Sequence, residues 1–114
     1  SVSRNSIVHS HGRCISVEGT NDALLSWNTA YDTAGHCFYL GYESSNNRVE
    51  RNLGSALNTK IHWGNRPTYF DNDPDASAFF AWYMDNDFVG NVAAGSTYEG
   101  FRLHPNWHDC KESG

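Results

Sequence analysis

The stretch Phe79-Phe80-Ala81-Trp82-Tyr83-Met84-Asp85-Asn86-Asp87-Phe88-Val89-Gly90 constrains the fold most, because aromatic density, turn chemistry and spacing agree there. Its first four residues read as one buried strand. Tyr83 and Phe88 bracket a polar turn, Met84 to Asp87, and Val89-Gly90 restarts an extended segment. Such a strand folds back by laying an aromatic ring over its polar corner, with a glycine where the chain nears the ring or takes positive φ. An ordinary hairpin with a buried aromatic strand is the simpler alternative.

Elsewhere the reading is also of β structure. Cys14-Ile15-Ser16-Val17 alternates as a strand, Gly19 to Asp22 is turn chemistry, and Ala23 to Trp27 is a strand or a short helical turn. Asn28 to Gly35 reads as a loop. His36 to Tyr42 is a second aromatic strand, followed by a turn and by Val49 to Leu53, which is expected to pair back on it. Apolar residues nowhere recur at helical spacing over three turns, so the chain reads as all-β. Residues 36 to 65 and 78 to 110 follow one plan. Phe38 to Tyr42 corresponds to Phe79 to Tyr83, Leu53-Gly54-Ser55 to Ala94-Gly95-Ser96, and Asn58 to Trp63 falls near Asn106 to Cys110. Two units of about four short strands each have the size of Greek keys and can pack as a small sandwich.

The corner Tyr83 to Gly90, an aromatic, four residues, an aromatic, one residue and a glycine, resembles the βγ-crystallin superfamily. Leu57 to Asn65 is similar to the segment that closes the first Greek key in small secreted bacterial members. The resemblance covers roughly residues 36 to 110. It implies a Greek-key sandwich in which Tyr83, Phe88 and Gly90 hold the structural corner, with residues 1–35 as an additional N-terminal segment, 36–77 as the first unit and 78–114 as the second. It also implies a secreted, non-enzymatic protein that binds an extracellular protein target, such as a proteinase, through its loops. A killer-toxin-like or antimicrobial role is the alternative within the superfamily. The chain departs from the pattern at Met84, at Asn47 and Val49, and in lacking the hydroxyls of the usual calcium run after Asn58 and Asn106.

Composition narrows the partners. A single domain of 114 residues with a net charge of −5 and eight scattered Lys and Arg makes nucleic acid a poor partner. No run approaches the ~18 apolar residues of a membrane span. The opening Ser1-Val2-Ser3 lacks methionine, as in processed proteins. Three cysteines permit one bridge and one leftover thiol. Cys14 and Cys37 are a candidate disulfide closing a loop of about 24 residues. Alternatively, Cys110 fastens the C-terminus to either. The odd cysteine also allows a disulfide-linked dimer, against a monomer. An oxidised, secreted protein is the expected setting.

Chemistry is sought in the loops. No cofactor is expected, and zinc and calcium are the candidate ions. His9 and His11, two apart, share a face of a strand. His104 and His108, four apart, share a face of a helical turn, and either pair offers two ligands to zinc or copper. Asp71, Asp73 and Asp75 begin like a calcium loop, yet Ala76 and Trp82 stand where an EF-hand needs Gly and Glu. Surface histidines and a solvated acidic turn are the simpler readings. No nucleophile elbow or phosphate loop is present. A general acid/base set drawn from Glu43, Glu50, His62, His104 and His108 with Arg51 would serve a ribonuclease or hydrolase. Trp27, Trp63, Tyr69, Tyr98 and Trp107 with the Asn-rich loops allow a carbohydrate-binding module, in which rings stack on sugars. Trp63, Trp107 and the Asp71–Asp75 loop are the candidate ligand or partner loops.

Overall fold

In the computed structural model, residues 1–58, 76–96 and 99–103 are described. They form twelve short strands: β1 Val2–Ser3, β2 Ser6–Val8, β3 Ile15–Val17, β4 Leu24–Ser26, β5 Thr29–Ala34, β6 Phe38–Leu40, β7 Asn47–Glu50, β8 Leu53–Asn58, β9 Ser77–Ala81, β10 Asn86–Val89, β11 Val92–Ala94 and β12 Glu99–Leu103. Consecutive strands fall in different sheets. The orders are β1-β4-β7-β10, β11-β8-β5-β2 and β12-β9-β6-β3, so every third strand returns to the sheet it started from, one layer on. Each strand pairing among the described residues is parallel. This is a parallel β-helix with three faces, each coil adding one strand to each face.

These sheets correct the Greek-key sandwich, whose hairpins would be antiparallel. Phe79 to Gly90 is no hairpin, because β9 pairs with β6 and β12 while β10 pairs with β7 in another sheet. Val49 to Leu53 does not pair back on the aromatic strand either; it is split between β7 and β8 around a corner at Arg51. Asn28 to Gly35, read as a loop, holds the six-residue strand β5. Residues 1–35 supply the first strand of every sheet.

The corners explain how so short a strand ends. Arg4, Trp27, Arg51 and Gly90 have φ of 58°, 59°, 54° and 65°, forming a column of left-handed residues between the first sheet and the second. For a residue with a Cβ that conformation costs about 1–2 kcal/mol. An asparagine follows each: Asn5, Asn28, Asn52 and Asn91. The Oδ1 atoms of Asn28, Asn52 and Asn91 each accept from both the backbone N–H and the Nδ2 of the asparagine one coil earlier, at 2.9–3.0 Å, in steps of 23, 24 and 39 residues. Nδ2 of Asn28, Asn52 and Asn91 also donates back to the carbonyls of Val2, Leu25 and Val49. A second ladder runs from the Ala23 N–H to Asn47 and from Asn47 to Asn86. Buried amides thus satisfy backbone groups that the corners would otherwise strand.

Stacked identical positions build the core. Leu25, Val49 and Phe88 align on one face and Ala30, Gly54 and Ala93 on the next. Ile15, Phe38, Phe79 and Phe101 align on the third face. The Phe38 and Phe79 rings stack at 4.8 Å, as do Phe79 and Phe101. Small residues on the second face leave the interior volume that these rings fill. Cys14 and Cys37, 23 positions apart, form a disulfide that staples the first coil to the second.

Candidate functional site

The outer face of the third sheet carries aromatic side chains where solvent-facing strand positions ordinarily carry polar ones. Tyr39 and Phe80 lie in register on β6 and β9 and stack at 5.3 Å, and the His36 ring lies 4.3 Å from Phe80. The Arg13 guanidinium sits 3.6 Å over the Tyr39 ring, and Tyr39 and Phe80 are only 6% and 5% exposed. Trp82 Nε1–H donates to the Tyr39 hydroxyl at 2.7 Å, fixing the indole at the end of β9.

Beyond that covered layer the rings become accessible. Tyr42, 61% exposed, stacks on Trp82 with centroids 4.8 Å apart and planes 14° from parallel. Tyr83 meets the Tyr42 ring edge-on at 6.3 Å, and Met84 is exposed beside them. Gly41 permits this arrangement, since a Cβ there would lie 2.9 Å from the Tyr39 ring. Next to the platform is a cleft of about 300 Å³ lined by Asn21, Glu43, Ser44, Ser45, Tyr83 and Asp85. Its floor is ordered: Ser44 Oγ–H donates to the Val17 carbonyl at 3.1 Å, and Asn21 Oδ1 accepts from both the N–H and the Oγ–H of Ser45 at 3.0 Å. Glu43 and Asp85 are exposed. Flat apolar rings beside carboxylate, amide and hydroxyl groups can hold a ring that has apolar faces and a hydroxylated rim.

A second exposed surface follows the left-handed corner column. Trp27 is 55% exposed, with the Arg51 guanidinium 5.4 Å from its ring centre and Arg4 one coil before it. Arg51 is in turn 3.4 Å from Glu50, which also holds Arg48 at 3.3 Å.

The residues singled out from the sequence are only partly drawn together. His9 stands at a left-handed corner with φ of 57°, not in a strand, and its Nδ1 lies 2.7 Å from Asp32 Oδ2 in the next coil. His11 is exposed beyond it. Among the described residues no group of three or more His, Cys, Asp and Glu side chains converges as a metal site would require. His104, His108, Asp71, Asp73, Asp75, Trp63, Trp107, His62, Tyr69, Tyr98 and Cys110 lie outside the described residues. Of the acid/base set, Glu50 and Arg51 meet at 3.4 Å, with Arg48 also on Glu50, and Glu43 lines the aromatic cleft, while its three histidines lie outside the described residues. Of the expected corner residues, Phe88 packs edge-on against Phe79 at 6.4 Å, Gly90 occupies the left-handed column, and Tyr83 borders the cleft. The Tyr42–Trp82 platform was hidden in the sequence because both residues end aromatic runs that read as buried strand.

The family model described as CEMIP beta-helix matches residues 1–113. The chain belongs to the CEMIP beta-helix family. This membership overturns the βγ-crystallin resemblance, and the proteinase-inhibitor and killer-toxin expectations drawn from it fall with it. Among curated relatives of this CEMIP beta-helix chain, Communication mutant protein F of Dictyostelium discoideum is 36% identical over 92% of the chain and 10% of its own length. Cell surface hyaluronidase CEMIP2 of Homo sapiens is 31% identical over 83% of the chain and 8% of its own length. Cell surface hyaluronidase of Danio rerio is 30% identical over 83% of the chain and 8% of its own length. The chain therefore spans about a tenth or less of the relatives it matches. No solved structure matches it. Among the described residues no helix is long and apolar enough to cross a membrane.

Proposed function

We propose that this chain is an extracellular polysaccharide-contacting β-helix, with the Tyr42–Trp82 platform and its adjoining cleft as the sugar subsite. The exposed Tyr42 ring, pre-stacked on the half-buried Trp82, carries the reading: a sugar laid on it needs no ring reorganisation, so little of the contact energy is spent on ordering. Glu43, Ser45, Asn21 and Asp85 stand where sugar hydroxyls would reach. Relatives named cell surface hyaluronidases support both a surface location and hyaluronan as the first polymer to try. The oxidised Cys14–Cys37 pair fits the same compartment.

Calorimetric titration with hyaluronan oligosaccharides tests this. Saturable binding that weakens at least tenfold in Trp82→Ala, about 1.4 kcal/mol, supports the reading. Binding unchanged by Trp82→Ala and Tyr42→Ala refutes it. A second reading places an acidic polymer on the Arg4–Trp27–Arg51 column, favoured by its charge. In that case Arg51→Ala weakens binding and Trp82→Ala does not.

A further inference from the structure

The cleft beside the Tyr42–Trp82 platform is one-sided in its chemistry. Of the described side chains that line it, Glu43 and Asp85 are carboxylates and none is basic. Neither carboxylate has an ion-pair partner among the described residues. The hydroxyl protons of Ser44 and Ser45 are already given to the Val17 carbonyl and to Asn21 Oδ1. That leaves the Asn21 amide N–H groups and the Tyr83 hydroxyl as side-chain donors, against the oxygens of two carboxylates.

The two carboxylates come from successive coils. Glu43 precedes β7 and Asp85 precedes β10, and the Asn46 N–H donates to the Asp85 carbonyl, which ties the two turns together. Asn86 Nδ2 donates to the Ser44 and Tyr83 carbonyls at 2.9 and 3.1 Å, so both carboxylates spring from fixed backbone. The guanidinium groups of the neighbouring strands and turns are committed elsewhere: Arg13 lies over the Tyr39 ring and 3.5 Å from Glu18, and Arg48 lies 3.3 Å from Glu50 and 3.9 Å from Asp87.

We propose, resting on the reading of the platform as a sugar subsite, that the cleft admits an uncharged 2-acetamido sugar and refuses a uronate, with Glu43 and Asp85 as the specificity-determining residues. An acetamido sugar brings what the cleft lacks: hydroxyl and amide N–H donors for the carboxylates, and a ring face for Tyr42. A uronate brings a further acceptor and a like charge, the kind of juxtaposition by which specific sites reject wrong partners. In a polymer that alternates the two sugars, as hyaluronan does, this exclusion sets the register, with the acetamido sugar on the platform and the uronate outside the cleft. At about 4–5 Å in a water-like dielectric each carboxylate disfavours a uronate roughly fourfold, and the two together more than about tenfold.

Calorimetric titration of the full chain at low salt with two tetrasaccharides of the same β-1,4 backbone, one of N-acetylglucosamine and one of glucuronate, reads this directly. The N-acetylglucosamine tetrasaccharide is expected to bind more tightly by about tenfold or more. In the double variant Glu43→Gln, Asp85→Asn, both at exposed positions and expected to be folded by circular dichroism, that preference shrinks by about fivefold or more. In the unsubstituted chain it narrows as salt is raised toward 1 M, where the Debye length is about 3 Å. Equal binding of the two sugars, tighter binding of the glucuronate, or a preference that the double variant leaves unchanged overturns the proposal; if Trp82→Ala still weakens binding, the platform reading stands without it. Binding of neither sugar, or binding that Trp82→Ala leaves unchanged, overturns the platform reading and the selectivity with it.

Discussion

Asn52→Ala is expected to be among the most damaging single substitutions in this chain, although it removes no apolar contact of note. Asn52 is 1% exposed. Its side chain accepts from the Asn28 N–H and Nδ2 at 2.9 Å and donates to the Leu25 carbonyl and Asn91 Oδ1 at 3.0 Å. Four hydrogen bonds at a net value of about 1 kcal/mol each set the loss near 4 kcal/mol, and the buried Asn28 donors left without an acceptor push it upward. Asn52→Asp keeps the acceptor but turns an oxygen toward the Leu25 carbonyl and Asn91 Oδ1, and it buries a charge, so it should cost more than alanine. Asn5→Ala, at the exposed end of the same ladder, gives up bonds to Asn28 Oδ1 and the Ser3 carbonyl and should cost about 1 kcal/mol or less. Urea unfolding followed by tryptophan fluorescence measures all three. A loss below about 1 kcal/mol for Asn52→Ala, or equal losses at Asn5 and Asn52, would refute the ladder as a stabilising element.

Other perturbations read other parts of the same architecture. Phe79→Ala empties the middle of a ring column stacked at 4.8 Å on both sides and should cost about 3–5 kcal/mol by thermal or urea unfolding. Reducing the Cys14–Cys37 bridge frees a loop of sequence separation 23 and should lower stability by about 3 kcal/mol, read as a shift in urea midpoint with and without reductant. Gly41→Ala forces the Tyr39 ring to move and disturbs the Trp82 Nε1–Tyr39 hydrogen bond, so glycan affinity should fall more than the urea midpoint does.

The coil register was partly visible in the sequence. Setting Phe38 to Tyr42 beside Phe79 to Tyr83 aligned two aromatic strands, and β6 and β9 pair with Phe38 beside Phe79 and Leu40 beside Ala81. What misled was the inference of two Greek keys. Side chains alternate with the same period in parallel and antiparallel strands, and strands of two to six residues hold too few alternations to tell one sheet from three. The matching of Leu53-Gly54-Ser55 was two residues out, since these pair with Val92, Ala93 and Ala94. A sharper signal lay unread: Val2-Ser3-Arg4-Asn5, Leu25-Ser26-Trp27-Asn28, Val49-Glu50-Arg51-Asn52 and Phe88-Val89-Gly90-Asn91 share an apolar residue three places before an asparagine. Its third interval is 39 residues rather than 23 or 24, which hides the period. Only Gly90 among the four corner residues announces the left-handed turn; Arg4, Trp27 and Arg51 adopt it without glycine, held by the ladder that follows.

The Tyr42–Trp82 platform proposed to contact sugar arises from that same stacking, which brings the two rings together from positions far apart in sequence. Backbone amide chemical-shift mapping during titration with hyaluronan oligosaccharides tests it most directly. The predicted result is a saturable set of shifts clustered at Tyr42, Glu43, Ser44, Ser45, Trp82 and Tyr83. Shifts that gather instead around Trp27 and Arg51, or no shifts at millimolar sugar, would contradict it.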